Sequence, residues 1–464
     1  MLINDSKANK TPRAAEPRPT PIATPTPSAR PAPPAVQDGF AAAATTAPAT
    51  LVPLTAGANP RDAAAQRGRD FLRGPEIAGS NGGNGATVTR DVGHVNDPAD
   101  RDPASPRYQA ADAILQENRG LEDQSLAAMS PEDRANYQQV RTQVQATGDK
   151  VAELSLQTML LEGKLPGAQD LMGQGTTLDN LAALADPNTP LADGIDRGAL
   201  LTDVVQEVAT PSAIAQHTKN TCVPTAVSLQ LAMNNPAEYA RIATGLASPS
   251  GEVQLAGGQT LTREADTLAD DGVGRSVSQR LIEPAFMEFA NGWLDYRSGD
   301  DKHFLGPIPT FPGAPAVMAD GLLEAIYGKG MEHRTGILFG VMDEIERQTA
   351  AGGSVLATLS WEDGGILQWH KIVVTGMETV DGQEYVKYTN PWGQEERMPR
   401  EEFERRLREA NWDPTFGREQ PAAPAITPEP APVPTPPVAT PTPSRTPTPE
   451  DEIVRQRRAL EVVA

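Results

Sequence analysis

The sequence predicts an α+β domain held between two long proline-rich arms. Three observations carry that prediction. Most of the 44 prolines crowd the two ends of the chain, while residues 105–417 have ordinary globular composition. Helical periodicity fills the first part of that middle stretch. Three strand-like runs then follow, at 354–360, 371–377 and 384–389. Helices first and antiparallel strands after are the pattern of an α+β fold.

Residues 1–105 read as a disordered Pro/Ala/Gly-rich region. Residues 11–53 favour extended, solvated backbone, and 80–85 (SNGGNG) reads as a flexible linker. Residues 106–195 read as a helical region. Ser130-Pro131-Glu132-Asp133 is a helix start, with a Ser cap, Pro at the first position and acids at the positive end of the dipole. Tyr137, Val140, Val144, Val151, Leu154 and Leu161 then recur at helical steps. One long amphipathic helix ending near 163–166 is expected, as a helix packed beside the main domain or as an inhibitory prosegment.

Residues 196–417 read as the main domain. Helices are expected at 224–233, from a cap at Asn235-Pro236 through 246, and at 337–349. Asp381 and Gly382 mark a tight turn between the last two strand-like runs. A surface helix is expected at 400–410. Residues 418–464 read as a Pro-rich disordered tail, whose end, 451–464, has the charge pattern of a short helix.

The formal net charge of −21 disfavours binding to phosphate backbones and to anionic membrane surfaces. No run of apolar residues is long enough for a transmembrane helix, and the polar start has no signal-peptide pattern. The expected location is therefore cytoplasmic as synthesised, with a leaderless route if the protein is exported. A single cysteine forms no intramolecular disulfide. No Asp, Glu, His or Cys grouping has metal-site spacing, and no phosphate-binding or dinucleotide-binding loop is present, so no cofactor is expected. The expected partner is a protein or peptide substrate. The sequence is silent on oligomeric state.

Cys222 stands before the helix expected at 224–233. A thiol at a helix N-terminus meets the positive end of the macrodipole, which stabilises the thiolate. Free cysteines are more often inert core residues, so this segment alone decides nothing. His370 opens the run at 371–377, where a strand end can present an imidazole. Asn390-Pro391-Trp392-Gly393 closes the following run, a composition ordinary for a loop. Together the three supply a nucleophile, a base and a group that fixes the tautomer of the base. Trp361-Glu362-Asp363-Gly364-Gly365 reads as a solvated hairpin or as an acidic loop over a cleft that favours a basic substrate.

These residues resemble the papain-like cysteine peptidase superfamily, with local similarity to C39-like peptidases. Gln216 lies six residues before Cys222, where that family places its oxyanion-hole glutamine. Asn390-Pro391-Trp392-Gly393 is similar to the family's Asn-x-Trp-Gly motif, in which the Trp shields the His–Asn hydrogen bond. Val223 departs from the Gly or aromatic usual after the nucleophile. The resemblance implies a papain-like fold, with a helical subdomain carrying the Cys and an antiparallel sheet carrying His and Asn. It implies Cys222, His370, Asn390 and Gln216 as catalytic residues, with Trp392 and Gly393 supporting the site. The expected activity is hydrolysis of peptide or isopeptide bonds through a thioester. A bacterial effector or toxin and an intracellular peptidase both fit. An acyltransferase, deamidase or transglutaminase on the same fold, and an inactive binding module, are the alternatives.

Overall fold

The computed structural model describes residues 59–416 except 78, 292–293, 306, 311–318, 336–339 and 364–365. The low-complexity runs at 11–53 and 421–449, and the short helix expected at 451–464, lie outside the described residues.

The disorder expected up to residue 105 is corrected over 60–105. Pro60–Leu72 is a helix with Pro60 in its first turn, capped by the Asn59 side chain, which accepts from the Arg61 N–H. Strands β1 (Ser80–Gly83) and β2 (Ala86–Asp91) pair as a hairpin across Asn84 and Gly85, whose φ values are 52° and 81°. Asn-Gly suits a two-residue turn in which both residues take positive φ. The composition that suggests a linker is therefore also the composition of a tight hairpin, and burial of Ala86 and Val88 against the sheet selects the latter.

The helical region is present as Pro106–Ala128, Pro131–Ala146, Lys150–Leu161 and Thr177–Ala185. Ser130 caps its helix as expected, accepting from the Asp133 N–H at 3.0 Å. The single long helix expected here is two. Gly148 turns the backbone at φ 75°, and Asp149 restarts the helix by accepting from the Ala152 N–H at 2.8 Å. The periodic residues divide at the break: Tyr137, Val140 and Val144 join the main core, Val151 and Leu154 pack with Leu72, Ala111 and Leu115, and Leu161 packs with Ala64 and Ala65.

That core is continuous from Leu126 to Val373. It joins Leu156 and Leu160 to Leu200, Val204, Val227, Ile242, Leu281 and Leu323. These come from the helices Arg197–Ala209, Cys222–Asn234, Pro236–Ala247, Val277–Asn291 and Ala319–Tyr327. Every residue from Val151 to Leu161 is buried. Each fully buried Leu or Val contributes about 1.5–3 kcal/mol, so this helix belongs to the scaffold and not to a detachable inhibitory segment.

Two small antiparallel sheets sit among the helices. One is β3 (Glu252–Gln254) with β4 (Thr260–Thr262). The other is β5 (Asp295–Arg297), β6 (Lys302–Leu305) and β7 (Ile308–Pro309). The main sheet adds β8 (Glu332–Thr335), β9 (Val355–Asp363), β10 (Ile366–Val380), β11 (Gln383–Asn390), β12 (Gln394–Pro399) and β13 (Leu407–Trp412). Its order is β1-β2-β12-β11-β10-β9-β13-β8, antiparallel throughout. The strands expected at 371–377 and 384–389 fall within β10 and β11, and the one expected at 354–360 begins one residue before β9. Asp381 and Gly382 form the turn between the last two, with φ of 51° and 81° and Val380 paired to Gln383.

The surface helix expected at 400–410 ends at Arg406, and the chain continues as β13. Glu402 pairs with Arg405 and Arg406, which supports helix locally. Leu407, Ala410 and Trp412 are buried instead in the slot between β9 and β8, and tertiary burial wins.

One face of the main sheet packs on the helical core through Leu356 and Val373. The other holds a second core of Ala357, Ile372, Val374, Tyr388 and Phe403, closed by Val341 and Ile345 of the helix Val341–Ala350. The architecture is α+β, a helical layer against an antiparallel half-barrel. Among the described residues no helix is long and apolar enough to cross a membrane.

Candidate active site

Cys222 is the first residue of the helix Cys222–Asn234, and it is half-buried. Every residue from Val223 to Ala232 is buried, so the helix is central to the fold and its N-terminus is fixed. Thr221 precedes it but does not cap it. Its hydroxyl turns away to donate to Glu283 Oε2 at 3.0 Å. The first-turn amides therefore stay open, and those of Cys222 and Val223 face the sulfur, together with the backbone N–H of Lys371.

The loop before Cys222 is tied down at several points. Asn220 gives Asp301 both its backbone N–H and its side-chain amide, and Tyr296 donates to the same carboxylate. Lys219 Nζ donates to the Ser298 carbonyl at 2.8 Å. The turn after β5 thus holds the approach to Cys222. Gln216 is buried, and its side-chain amide donates to the Lys219 carbonyl at 2.7 Å. One of its two amide hydrogens is used there, which holds the side chain inside the loop before Cys222.

The strand start expected at His370 is corrected, because β10 begins at Ile366. His370 lies inside the strand and pairs with Leu359 of β9. Its other side has no strand neighbour, since β11 pairs with β10 only from Val373 onward and ends at Asn390. The turn after β11 closes over this gap. His370 Nε2 lies 2.8 Å from Asn390 Oδ1. Trp392 stacks on the imidazole at 4.6 Å between centroids, and Trp361 packs beside it at 5.2 Å. The two indoles meet edge to face. Gly393 has φ 76°, and a Cβ there would come within 2.9 Å of the Gly93 carbonyl, so the turn needs glycine at this position.

Main-chain contacts join the two halves. Gln216 N–H donates to the Pro391 carbonyl at 2.8 Å, and Ala215 bridges to Trp392. The structure therefore links Gln216 to the Asn390–Gly393 turn, His370 to Asn390 and Trp392, and the Cys222 sulfur to the residue that follows His370.

Burial sets the protonation of both Cys222 and His370. It pushes the Cys222 thiol up, against the opposing pull of the Lys371 N–H and the Lys371 charge. This differs from the lowering expected at a helix N-terminus, because the loss of water outweighs the amides. Burial also lowers His370 from its ordinary 6.5 to about 4, with the Asn390 bond acting the other way. Taken singly, each group rests neutral.

Several residues at the site escaped sequence reasoning. Asn390 Nδ2 donates to Glu396 Oε1 at 3.0 Å, and Glu396 is itself buried. Lys371 is fully buried and pairs with Glu409 and Asn411 of β13. Trp361, placed in a solvated hairpin by the sequence pattern, is buried against His370. Gly364 and Gly365 of that hairpin lie outside the described residues. His94, expected in the disordered arm, is ordered, with its ring 4.3 Å from that of His217. His217 has φ 52°, an unusual conformation for a residue other than glycine. Charged side chains carry no sequence mark that separates buried from exposed, so only the Trp361 period could have been read in advance. Among the described residues no group of three or more His, Cys, Asp or Glu converges on a possible metal position.

Comparison of the chain with protein-family models, with curated proteins and with solved structures returns no match.

Proposed function

We propose that this protein is a cysteine-dependent hydrolase of peptide or isopeptide bonds, working through a thioester on Cys222. The observation that carries this reading is the bond from His370 to Asn390 beneath Trp392, one residue from the main-chain bond that holds Gln216. With Asn390 Oδ1 facing Nε2, that nitrogen carries the proton and Nδ1 keeps its lone pair as the base.

Cys222 gives its proton to His370 Nδ1, and the sulfur attacks the substrate carbonyl carbon. The oxyanion is met by the Cys222 backbone N–H and the Gln216 side-chain amide. The carbon–nitrogen bond breaks as His370 returns the proton to the leaving amine. Water, deprotonated by His370, then cleaves the thioester and restores the thiol. Burial penalises each charge singly, but a thiolate and an imidazolium formed together attract one another in the same low-dielectric site. A papain-like arrangement of the helical layer and the half-barrel belongs to this proposal.

The neutral resting state of both groups favours a second reading, an inactive binding module. Iodoacetamide labelling of Cys222 separates the two. Labelling at neutral pH faster than that of a free thiol, and lost in His370→Ala, is expected of the hydrolase. Labelling no faster than a free thiol in both proteins would overturn the hydrolase and favour the binding module.

A further inference from the structure

We propose that Glu396 is a positioning residue of this site, whose buried carboxyl dictates which way round the Asn390 amide sits and thereby which nitrogen of His370 carries the proton. The proposal rests on the Cys–His–Asn reading above.

β11 and β12 are paired antiparallel, with Tyr388 opposite Glu396 and Asn390 opposite Gln394. Asn390 and Glu396 are therefore diagonal neighbours on one face, within side-chain reach. Both are buried, at 0% and 1% exposure, so water does not substitute for either partner. The Asn390 amide has two ends and two neighbours. Oδ1 lies 2.8 Å from His370 Nε2, and Nδ2 donates to Glu396 Oε1 at 3.0 Å. The Tyr388 hydroxyl lies against the same carboxyl.

Burial raises the Glu396 carboxyl to about 7, and above that pH it is ionised and only accepts hydrogen bonds. If the Asn390 amide turned over, Oδ1 would face that carboxyl as one acceptor against another. Nδ2 would then face the imidazole, and Nε2 would have to accept. The ring proton would move to Nδ1, the nitrogen the chemistry needs as a base. The two amide orientations occupy nearly the same volume, so packing by Trp392 and Trp361 does not distinguish them. Glu396 does, by chemistry alone. Asparagine in this role has an ambiguity that a carboxylate would lack, and Glu396 removes it from one strand away.

The test is nitrogen-15 NMR of the full chain labelled at histidine, with the His370 signals assigned by their loss in His370→Gln. Above about pH 8, where Glu396 is ionised, wild type is expected to show one tautomer, protonated at Nε2. Glu396→Gln keeps the volume but can present either oxygen or nitrogen to Asn390, so both tautomers should appear. kcat should fall in proportion to the Nδ1-protonated fraction, with KM unchanged. Glu396→Asp keeps an acceptor-only group and should restore the single Nε2-protonated form. A Glu396→Gln protein whose His370 spectrum matches wild type would overturn the proposal, as would a wild type protonated at Nδ1. The tautomer is read without any substrate. A locked tautomer in a protein that hydrolyses nothing counts against the hydrolase alone, and an active enzyme indifferent to Glu396→Gln counts against this positioning role alone.

Discussion

Replacing His370 with Gln should flatten part of the acid sensitivity of folding. His370 is lowered from 6.5 to about 4, mainly by burial. The unfolded chain therefore takes up a proton at higher pH than the native chain does, and stability falls as pH drops from about 6.5 towards 4. At pH 7 both states are largely neutral. At pH 5 the unfolded imidazole is almost fully protonated and the native one is not. The difference between those two pH values is about 2 kcal/mol, and about 3 kcal/mol once pH falls below the native value. Glutamine retains a donor for Asn390 and does not titrate. Urea denaturation of wild type and His370→Gln at pH 7, 6 and 5 gives the double difference. Glu207, Glu264, Glu283 and Glu396 are raised to about 7, mainly by burial, and act with the opposite sign, losing stability as pH rises through that range. They are present in both proteins and cancel. If wild type and variant lose equal stability between pH 7 and 5, His370 is not held neutral by burial, and the account of its environment fails.

Two further outcomes follow from the geometry. Gln216→Ala should lower kcat by about 10²–10³-fold with KM little changed, the usual cost of one oxyanion donor, and steady-state kinetics with an unchanged kcat would remove Gln216 from that role. Lys371→Met leaves Glu409 buried without its main cationic partner and should destabilise folding by about 3–5 kcal/mol in urea, with most of the loss recovered in Lys371→Met, Glu409→Leu; a single variant within about 1 kcal/mol of wild type would show that the pair contributes little.

The elements legible in the sequence are those whose signal is local. Asn235 accepts from the Glu238 N–H at 2.8 Å, as its position before Pro236 implies, and Asp381-Gly382 makes the turn that its residue types demand. The link from His370 to Asn390 and Trp392 was legible through motif order. What stayed hidden depends on partners distant in the chain. Arg400–Arg406 and Leu407–Trp412 share a helix-like charge pattern, and only the vacancy between β8 and β9 divides them. Lys371, Glu396 and Glu409 look like surface residues until the strands are paired. His370 reads as a strand start because Ile366–Trp369 carry no clear alternation, whereas the pairing with β9 extends β10 through them.

The strand β2 sets where the chain can be shortened. It covers the free edge of β12, pairing Asp91 with Gln394 and Arg90 with Glu395, and Val92 N–H continues the ladder to the Gly393 carbonyl at 3.0 Å. The turn that carries Trp392 is thus fastened on one side by Gln216 and on the other by a segment more than a hundred residues earlier. A protein cut at residue 196, where composition suggests a natural boundary, would retain every reactive group named above. It would also leave β12 as an open edge able to pair with another molecule, and the turn over His370 held by one seam instead of two. The minimal working unit therefore begins before β1, in the stretch whose composition most resembles a linker.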